Sequence, residues 1–171
     1  PKDTDTIWIT VEIDGVFRST DRGQNWEHII RGLHDNDTHD LVFRDYDDGS
    51  RTILCSTEDG VHKSTDNGAT WEQLQIPQAK WDYFRSLKQP AENSDTVIAS
   101  VGDKPSGEAG QLLVSHNFGE TWSICDLSHP ANSTFWTIGT NQADTNLLFV
   151  ATIFGQIFKS TNSGQSWQKM D

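Results

Sequence analysis

Two carboxylates, Asp40 and Asp82, each open a β-prone run and have neighbours that suit a ligand site. His39 precedes Asp40, and Trp81 and Tyr83 flank Asp82. Two carboxyl groups about 5 to 9 Å apart can hydrolyse a glycosidic bond, one as acid and the other as base or nucleophile. One of the pair would then need a raised pKa, which burial or a like charge supplies. Phe135 and Trp136 open a third run of the same kind. Aromatic rings among carboxylates also suit binding without turnover, because an aromatic side chain offers a large apolar surface at little entropic cost. His39, Trp81, Tyr83, Phe135 and Trp136 are therefore the ligand-binding candidates, and Asp40 and Asp82 the candidates for acid–base work. Glu12, Asp14, Glu58, Asp59, Asp103 and Glu108 join them from loops. The competing reading assigns Trp81 and Trp136 to packing between sheets, and Asp40 and Asp82 to solvated strand starts.

Other chemistries find little support. The six histidines are His28, His34, His39, His62, His116 and His129, and no two have the spacing of a metal-binding helix. His34 and His39, with Asp35, Asp37 and Asp40, come nearest to a cluster. No metal and no cofactor are expected. Asp45-Tyr46-Asp47-Asp48-Gly49 lacks the terminal glutamate of a calcium loop and reads as a hydrophilic turn. Cys55 and Cys125 stand singly in strand-like runs and are expected as buried free thiols. Glycine-rich phosphate motifs are absent.

The elements that position these residues come from a repeat. The pattern Ser-x-(Asp/Asn)-x-Gly-x-x-Trp occurs four times: Ser19, Asp21, Gly23 and Trp26; Ser64, Asp66, Gly68 and Trp71; Ser115, Asn117, Gly119 and Trp122; Ser160, Asn162, Gly164 and Trp167. Successive tryptophans are 45, 51 and 45 residues apart, about the length of a four-stranded blade. The extra length of the middle interval falls between Gly102 and Gly110. Within each box the Asp or Asn side chain can accept bonds from backbone N–H groups and close a turn. The Gly supplies positive φ, and the Trp is expected to bury its ring as the chain re-enters the sheet.

Period-2 alternation places strands before and after each box. Expected third strands are Gly15 to Arg18, Gly60 to Lys63, Gln111 to Val114 and Gln156 to Lys159. Second strands run from Thr6 to Val11, Thr52 to Ser56, Thr96 to Val101 and Leu147 to Thr152. First strands run from Asp40 to Arg44, Tyr83 to Leu87 and Phe135 to Gly139. The Trp strands are Trp26 to Ile30, Trp71 to Leu74, Trp122 to Cys125 and Trp167 to Met170. Labelled A to D in each unit, they predict blades over about 6–30, 38–75, 82–126 and 134–171, within one domain or part of one spanning 1–171. No helix is expected. The D–A and B–C loops should share one face and carry the site candidates.

The boxes resemble the Asp-box, or BNR repeat, of sialidases, xyloglucan-cleaving hydrolases, sortilin-type receptors and photosystem II assembly factors, and the resemblance covers nearly the whole chain. It implies an all-β fold, a β-propeller of four-stranded antiparallel blades. In those families the box is a structural element at the blade periphery. Asn117 and Asn162 replace Asp and still accept the turn bonds, while His116 and Phe118 are unusual choices. The sialidase resemblance also implies an arginine triad. Of Arg18, Arg22, Arg31, Arg44, Arg51 and Arg85, only Arg44 and Arg85 lie on candidate inner strands, so that constellation is incomplete.

Partners follow from charge. The net charge is -12, from 25 acidic and 13 basic residues, and a field of that sign disfavours nucleic acid and anionic lipid. No run of 18 apolar residues could insert in a membrane. Pro1-Lys2-Asp3-Thr4-Asp5 is polar and lacks a signal-peptide core. Extracellular or periplasmic location is favoured over cytoplasmic. The leading function is a non-catalytic binding or assembly propeller with a protein or carbohydrate partner, and the alternative is a fragment or subunit of a polysaccharide-acting glycoside hydrolase. The first blade has no sequence for strand A. Three arrangements would answer that: blades from a longer chain, a second copy completing the ring, or four blades closing alone.

Overall fold

The alternating runs pair into four sheets. The computed structural model describes residues 4–171; Pro1 to Asp3, the start of the polar N-terminal run, lie outside the described residues. The first sheet holds β1 (Ile7–Val11), β2 (Gly15–Ser19) and β3 (Glu27–His28), and lacks an inner strand. The second holds β4 (Thr38–Asp45), β5 (Arg51–Thr57), β6 (Gly60–Ser64) and β7 (Glu72–Gln73). The third holds β8 (Tyr83–Lys88), β9 (Val97–Gly102), β10 (Gly110–Ser115) and β11 (Ser123–Ile124). The fourth holds β13 (Phe135–Thr140), β14 (Leu148–Thr152), β15 (Ile157–Ser160) and β16 (Ser166–Lys169), with β12 (Asp126–Leu127) added parallel to β16 at its outer edge. Every other pairing is antiparallel between consecutive strands. This is an all-β propeller array of four blades, the first one strand short. Among the described residues no helix is long and apolar enough to cross a membrane.

The outer strands differ from expectation. They begin after Trp26, Trp71 and Trp122, so those three tryptophans end their boxes instead of opening strands. The third blade's outer strand is also cut at Ile124, and the chain crosses there to pair with the next blade's edge.

Each box folds in the same way. The Ser hydroxyl donates to the Asp or Asn Oδ1 at 2.8 to 3.0 Å and accepts from the Gly N–H at 2.8 to 3.0 Å. The same Oδ1 accepts the backbone N–H four residues on, at 2.8 to 3.0 Å. In the two Asp boxes the fourth residue's side chain donates to Oδ2, from Asn25 and Thr70. In the two Asn boxes the direction reverses, and Asn117 and Asn162 donate to the Thr121 and Ser166 hydroxyls. These donors explain why Asp21 is held down to about 2, chiefly by Asn25 and then Ser19, and why Asp66 is lowered by Thr70.

The box is also the joint between blades. A Cβ on Gly68 would stand 2.8 Å from the Trp8 ring of the first blade; on Gly119, 2.9 Å from Leu54 of the second; on Gly164, 2.6 Å from Ile98 of the third. Glycine is required there because β1, β5 and β9 come this close. The tryptophans follow suit. Trp71 packs with Val16 and Ile29, Trp122 with Leu54 and Val61, and Trp167 with Ile98 and Leu112. The position just before the box adds polar ties forward, Arg18 donating to the Asn67 carbonyl at 2.7 Å and Lys63 pairing with Glu120.

This joint has an unfilled half at each end of the array. Trp26 is 41% exposed, whereas Trp71, Trp122 and Trp167 are buried, so the expectation of a buried ring fails in the first box. The reason is that no preceding blade lies against it. Ile157 is 48% exposed, whereas its counterparts Val16, Val61 and Leu112 are at 0%. Phe149, the counterpart of Leu54 and Ile98, is exposed as well. The two end blades therefore do not pack on each other as neighbours do, and the closed four-blade arrangement is not what forms.

The two halves of the joint separate in mutants. At Gly23, with φ at +86° and nothing nearer than 3.6 Å, alanine meets backbone strain alone, about 1 to 2 kcal/mol. Gly164→Ala adds a clash with Ile98, worth roughly another 1 to 3 kcal/mol. Equilibrium urea unfolding of both variants is expected to rank Gly164→Ala as the more destabilised, and equal losses would refute the joint.

Candidate functional site

The inner strands β4, β8 and β13 carry most of the candidates, and all three break register at the same place. Pairing skips His39 between Thr38 and Asp40, Arg85 between Phe84 and Ser86, and Trp136 between Phe135 and Thr137. A bulge leaves its extra residue out of the ladder and re-aims the side chain. The three bulged residues, one per blade, form a row across the inner wall.

The row is wired together. The Arg85 guanidinium lies over the Trp136 ring, 4.2 Å from its centroid, and pairs with Glu12 at 3.2 Å. Glu12 belongs to the β1–β2 hairpin, so Arg85 links the first, third and fourth blades. A cation over an indole contributes about 0.5 to 2 kcal/mol, more when desolvated, and the Arg85 side chain is only 18% exposed. The His39 side chain is buried. Its Nδ1 donates to the Phe84 carbonyl at 2.7 Å, and its Nε2 stands 3.4 Å from Asp37 Oδ1. Tyr83 meets the His39 ring edge-on at 5.1 Å. Burial raises the Tyr83 phenol to about 12, against the pull of Arg85.

The two acid–base candidates part company. The Asp40 carboxylate accepts the Ser86 hydroxyl at 2.7 Å, the Leu87 N–H at 3.2 Å and the Lys88 ammonium at 2.9 Å. Its lone pairs are committed to joining the second and third blades. Nor do the two residues hold like positions: Asp40 follows its bulge by one residue, whereas Asp82 precedes its own by three. Asp82 is exposed and lines a cleft of about 500 Å³ between the second and third blades, with Asp59, Gln73, Ile76, Pro77 and Phe84. Trp81 is half-buried against the same core, with Lys80 above its ring at 4.7 Å. Phe135 is fully buried in the core, its ring edge-on to Phe158 at 5.5 Å.

Two apolar residues that the sequence left unremarked stand out in the structure. The loop tips of this face expose Ile13 (83%) and Phe154 (57%) beside Glu12, Asp14, Glu58, Asp103 and Glu108. Ile13 holds a positive φ of 71°, a conformation costly for a β-branched residue. His62 is fully buried, and neither ring nitrogen has a hydrogen-bond partner. Burial lowers its pKa, Asp59 opposes that shift, and His34 adds to it. Phe118, at positive φ in the third box, is buried, whereas His116 is exposed. Cys55 and Cys125 are free and buried, and burial raises both thiols, Cys125 to about 12.

Removing Asp40 leaves the Leu87 N–H and Ser86 hydroxyl unmatched between blades. Asp40→Ala is expected to cost about 1 to 3 kcal/mol, and Asp82→Ala less than about 0.5 kcal/mol, both read from denaturant unfolding. A silent Asp40→Ala would overturn the structural role.

Comparison with known proteins places this geometry. The profile described as "Sortilin, neurotensin receptor 3" matches residues 14–152. No curated protein matches the chain in sequence. Among solved structures, the GH74 enzyme of Niastella koreensis aligns with a TM-score of 0.77 at 21% identity, over 99% of this chain and 28% of that one. The GH74 xyloglucanase of Xanthomonas campestris aligns at 0.72 and 17% identity, over 100% and 29%. YCF48 from Cyanidioschyzon merolae aligns at 0.53 and 19% identity, over 77% and 39%. The chain thus spans less than half the length of these three structures, and at such identities the likeness is one of fold. With the profile covering most of its length, the chain belongs to the Sortilin-Vps10 family.

Proposed function

We propose that this chain forms part of a non-catalytic binding propeller, and that the face of its D–A and B–C loops takes a polypeptide carrying basic side chains. The observation that carries the reading is the make-up of that face. Exposed Ile13 and Phe154 stand among exposed Glu12, Asp14, Glu58, Asp82, Asp103 and Glu108, on a chain of net charge -12. Apolar anchors within a field of one sign suit a protein partner of the opposite sign. The bulge row and the cleft beside Asp82 supply further contact. The family's description as a receptor agrees, as does a YCF48 structure bound to D1 peptide, which aligns at a TM-score of 0.55 and 14% identity over 96% of this chain and 50% of that one. An extracellular or periplasmic setting goes with this reading.

The alternative is a fragment or subunit of a polysaccharide-acting hydrolase. The GH74 likeness of fold supports it, and the commitment of Asp40 to the Ser86, Leu87 and Lys88 bonds weighs against it. Titration calorimetry against an amphipathic lysine–leucine peptide and against xyloglucan oligosaccharides separates the two. The peptide is expected to bind, to weaken as salt rises, and to lose about tenfold in affinity, or about 1.4 kcal/mol, in the Ile13→Ser/Phe154→Ser variant. Turnover of the oligosaccharides, lost in Asp82→Asn, would sink the binding reading.

The exposed end faces enter the same proposal. Further blades of the same type, from a second copy or from the rest of a longer chain, would cover Trp26 at one end and Phe149 and Ile157 at the other. Sedimentation of the 19.2-kDa chain tests the first source. Association that Ile157→Asp abolishes is expected for a second copy, and a monomer at every concentration removes that source.

A further inference from the structure

His62 poses a problem that the binding reading leaves untouched. A neutral imidazole carries one donor and one acceptor, and burying either without a partner costs stability. The other buried histidine, His39, settles its Nδ1 on the Phe84 carbonyl. His62 sits in the middle of β6, fully buried, with neither nitrogen bonded.

Its surroundings supply what it lacks. Asp59, at the tip of the β5–β6 hairpin, brings Oδ1 to 4.0 Å from His62 Nε2. His34, on the connection from the first blade to the second, brings Nδ1 to 3.9 Å from Asp59 Oδ2. The two imidazoles meet edge to face, centroids 5.6 Å apart at 89°. One ligand atom from each of the three residues lies within 4.8 Å of the other two.

We infer that His34, Asp59 and His62 form a binding site for a divalent transition-metal ion, with zinc as the best-fitting class. Two imidazoles and a carboxylate are borderline ligands that suit zinc, and three protein ligands with an open fourth position are a common zinc arrangement. Ligand atoms about 2.0 to 2.2 Å from a tetrahedral ion stand about 3.4 Å from one another. The observed separations, none above 4.8 Å, must close by up to about 1.4 Å to reach that spacing, through an inward swing of the exposed His34 ring and a small rotation of the Asp59 carboxylate toward His62. The Thr57 hydroxyl donates to Asp59 Oδ1 at 2.7 Å and orients the carboxylate, while Gln73 Nε2 donates to the Asp59 backbone carbonyl at 2.6 Å and steadies the hairpin tip. Hydrogen bonds of this kind behind a ligand are what hold metal sites in shape. Asp59 also lines the cleft between the second and third blades, so the ion sits at the cleft rim. It clamps the interblade connection to the hairpin.

The test is zinc titration of chelator-treated protein in competition with a chromophoric chelator, beside thermal melts with and without zinc. One zinc per chain is expected, with a rise in Tm. His34→Ala changes an exposed ring and should fold normally, yet bind zinc at least tenfold more weakly and lose the rise in Tm. Asp59→Asn should do the same. A His116→Ala/His129→Ala variant, which removes exposed histidines elsewhere, should bind as the native chain does. Failure of the native chain to bind zinc, or equal affinity in His34→Ala, overturns the site.

Discussion

The packing of the second, third and fourth Asp-boxes onto the blade before them is the contact on which the rest of the structure depends. The box turn is rigid in its own right, because one carboxylate or amide oxygen and one hydroxyl satisfy its backbone donors. That rigidity lets a glycine and a tryptophan be offered together as one surface. The glycine admits the second strand of the blade before, and the tryptophan fills the space beside it. Truncating a well-buried Trp costs about 3 to 5 kcal/mol, large beside the stability of a whole domain. Three such joints run through the array, and each unites two sheets that could not bury their own faces alone.

The inner wall depends on those joints. With the blades held at fixed spacing, the bulges in β4, β8 and β13 deliver His39, Arg85 and Trp136 to one row. Ion pairs and ring contacts then cross from blade to blade: Arg85 to Glu12 and Trp136, Arg44 to Asp95, and Asp40 to Lys88. The regularity of the outer boxes is what makes the inner geometry regular.

The same arrangement sorts carboxylates by task. Asp21 and Asp66 are held ionised by turn donors, and Asp40 is tied by hydrogen bonds to a neighbouring blade. Asp82 and the loop-tip acids face solvent, where they are open to a partner. Asp59 stands between these groups, anchored by Thr57 and turned toward two histidines. Thus a strongly acidic composition resolves into structural, electrostatic and metal-directed parts only when the blades are assembled.

Much of this was legible in the chain itself. The boxes, their spacing and the flanking alternation determined four sheet units, their strand order and the missing inner strand, because turn chemistry and period-2 patterning are local. The buried thiols and the face that gathers the loops followed from the same pattern. Other features needed the tertiary structure. Trp26 has the same local sequence as its three counterparts, and its exposure reflects only the lack of a blade against it. The bulges are invisible to a period count, so Asp40 and Asp82 looked equivalent when one was bound to its neighbour and the other faced a cleft. His34 and His39 are close in sequence, yet His34 joins His62, because a hairpin and an interblade connection meet in space. Local rules determined the units; contacts between units decided which side chains were buried, paired or left open to bind.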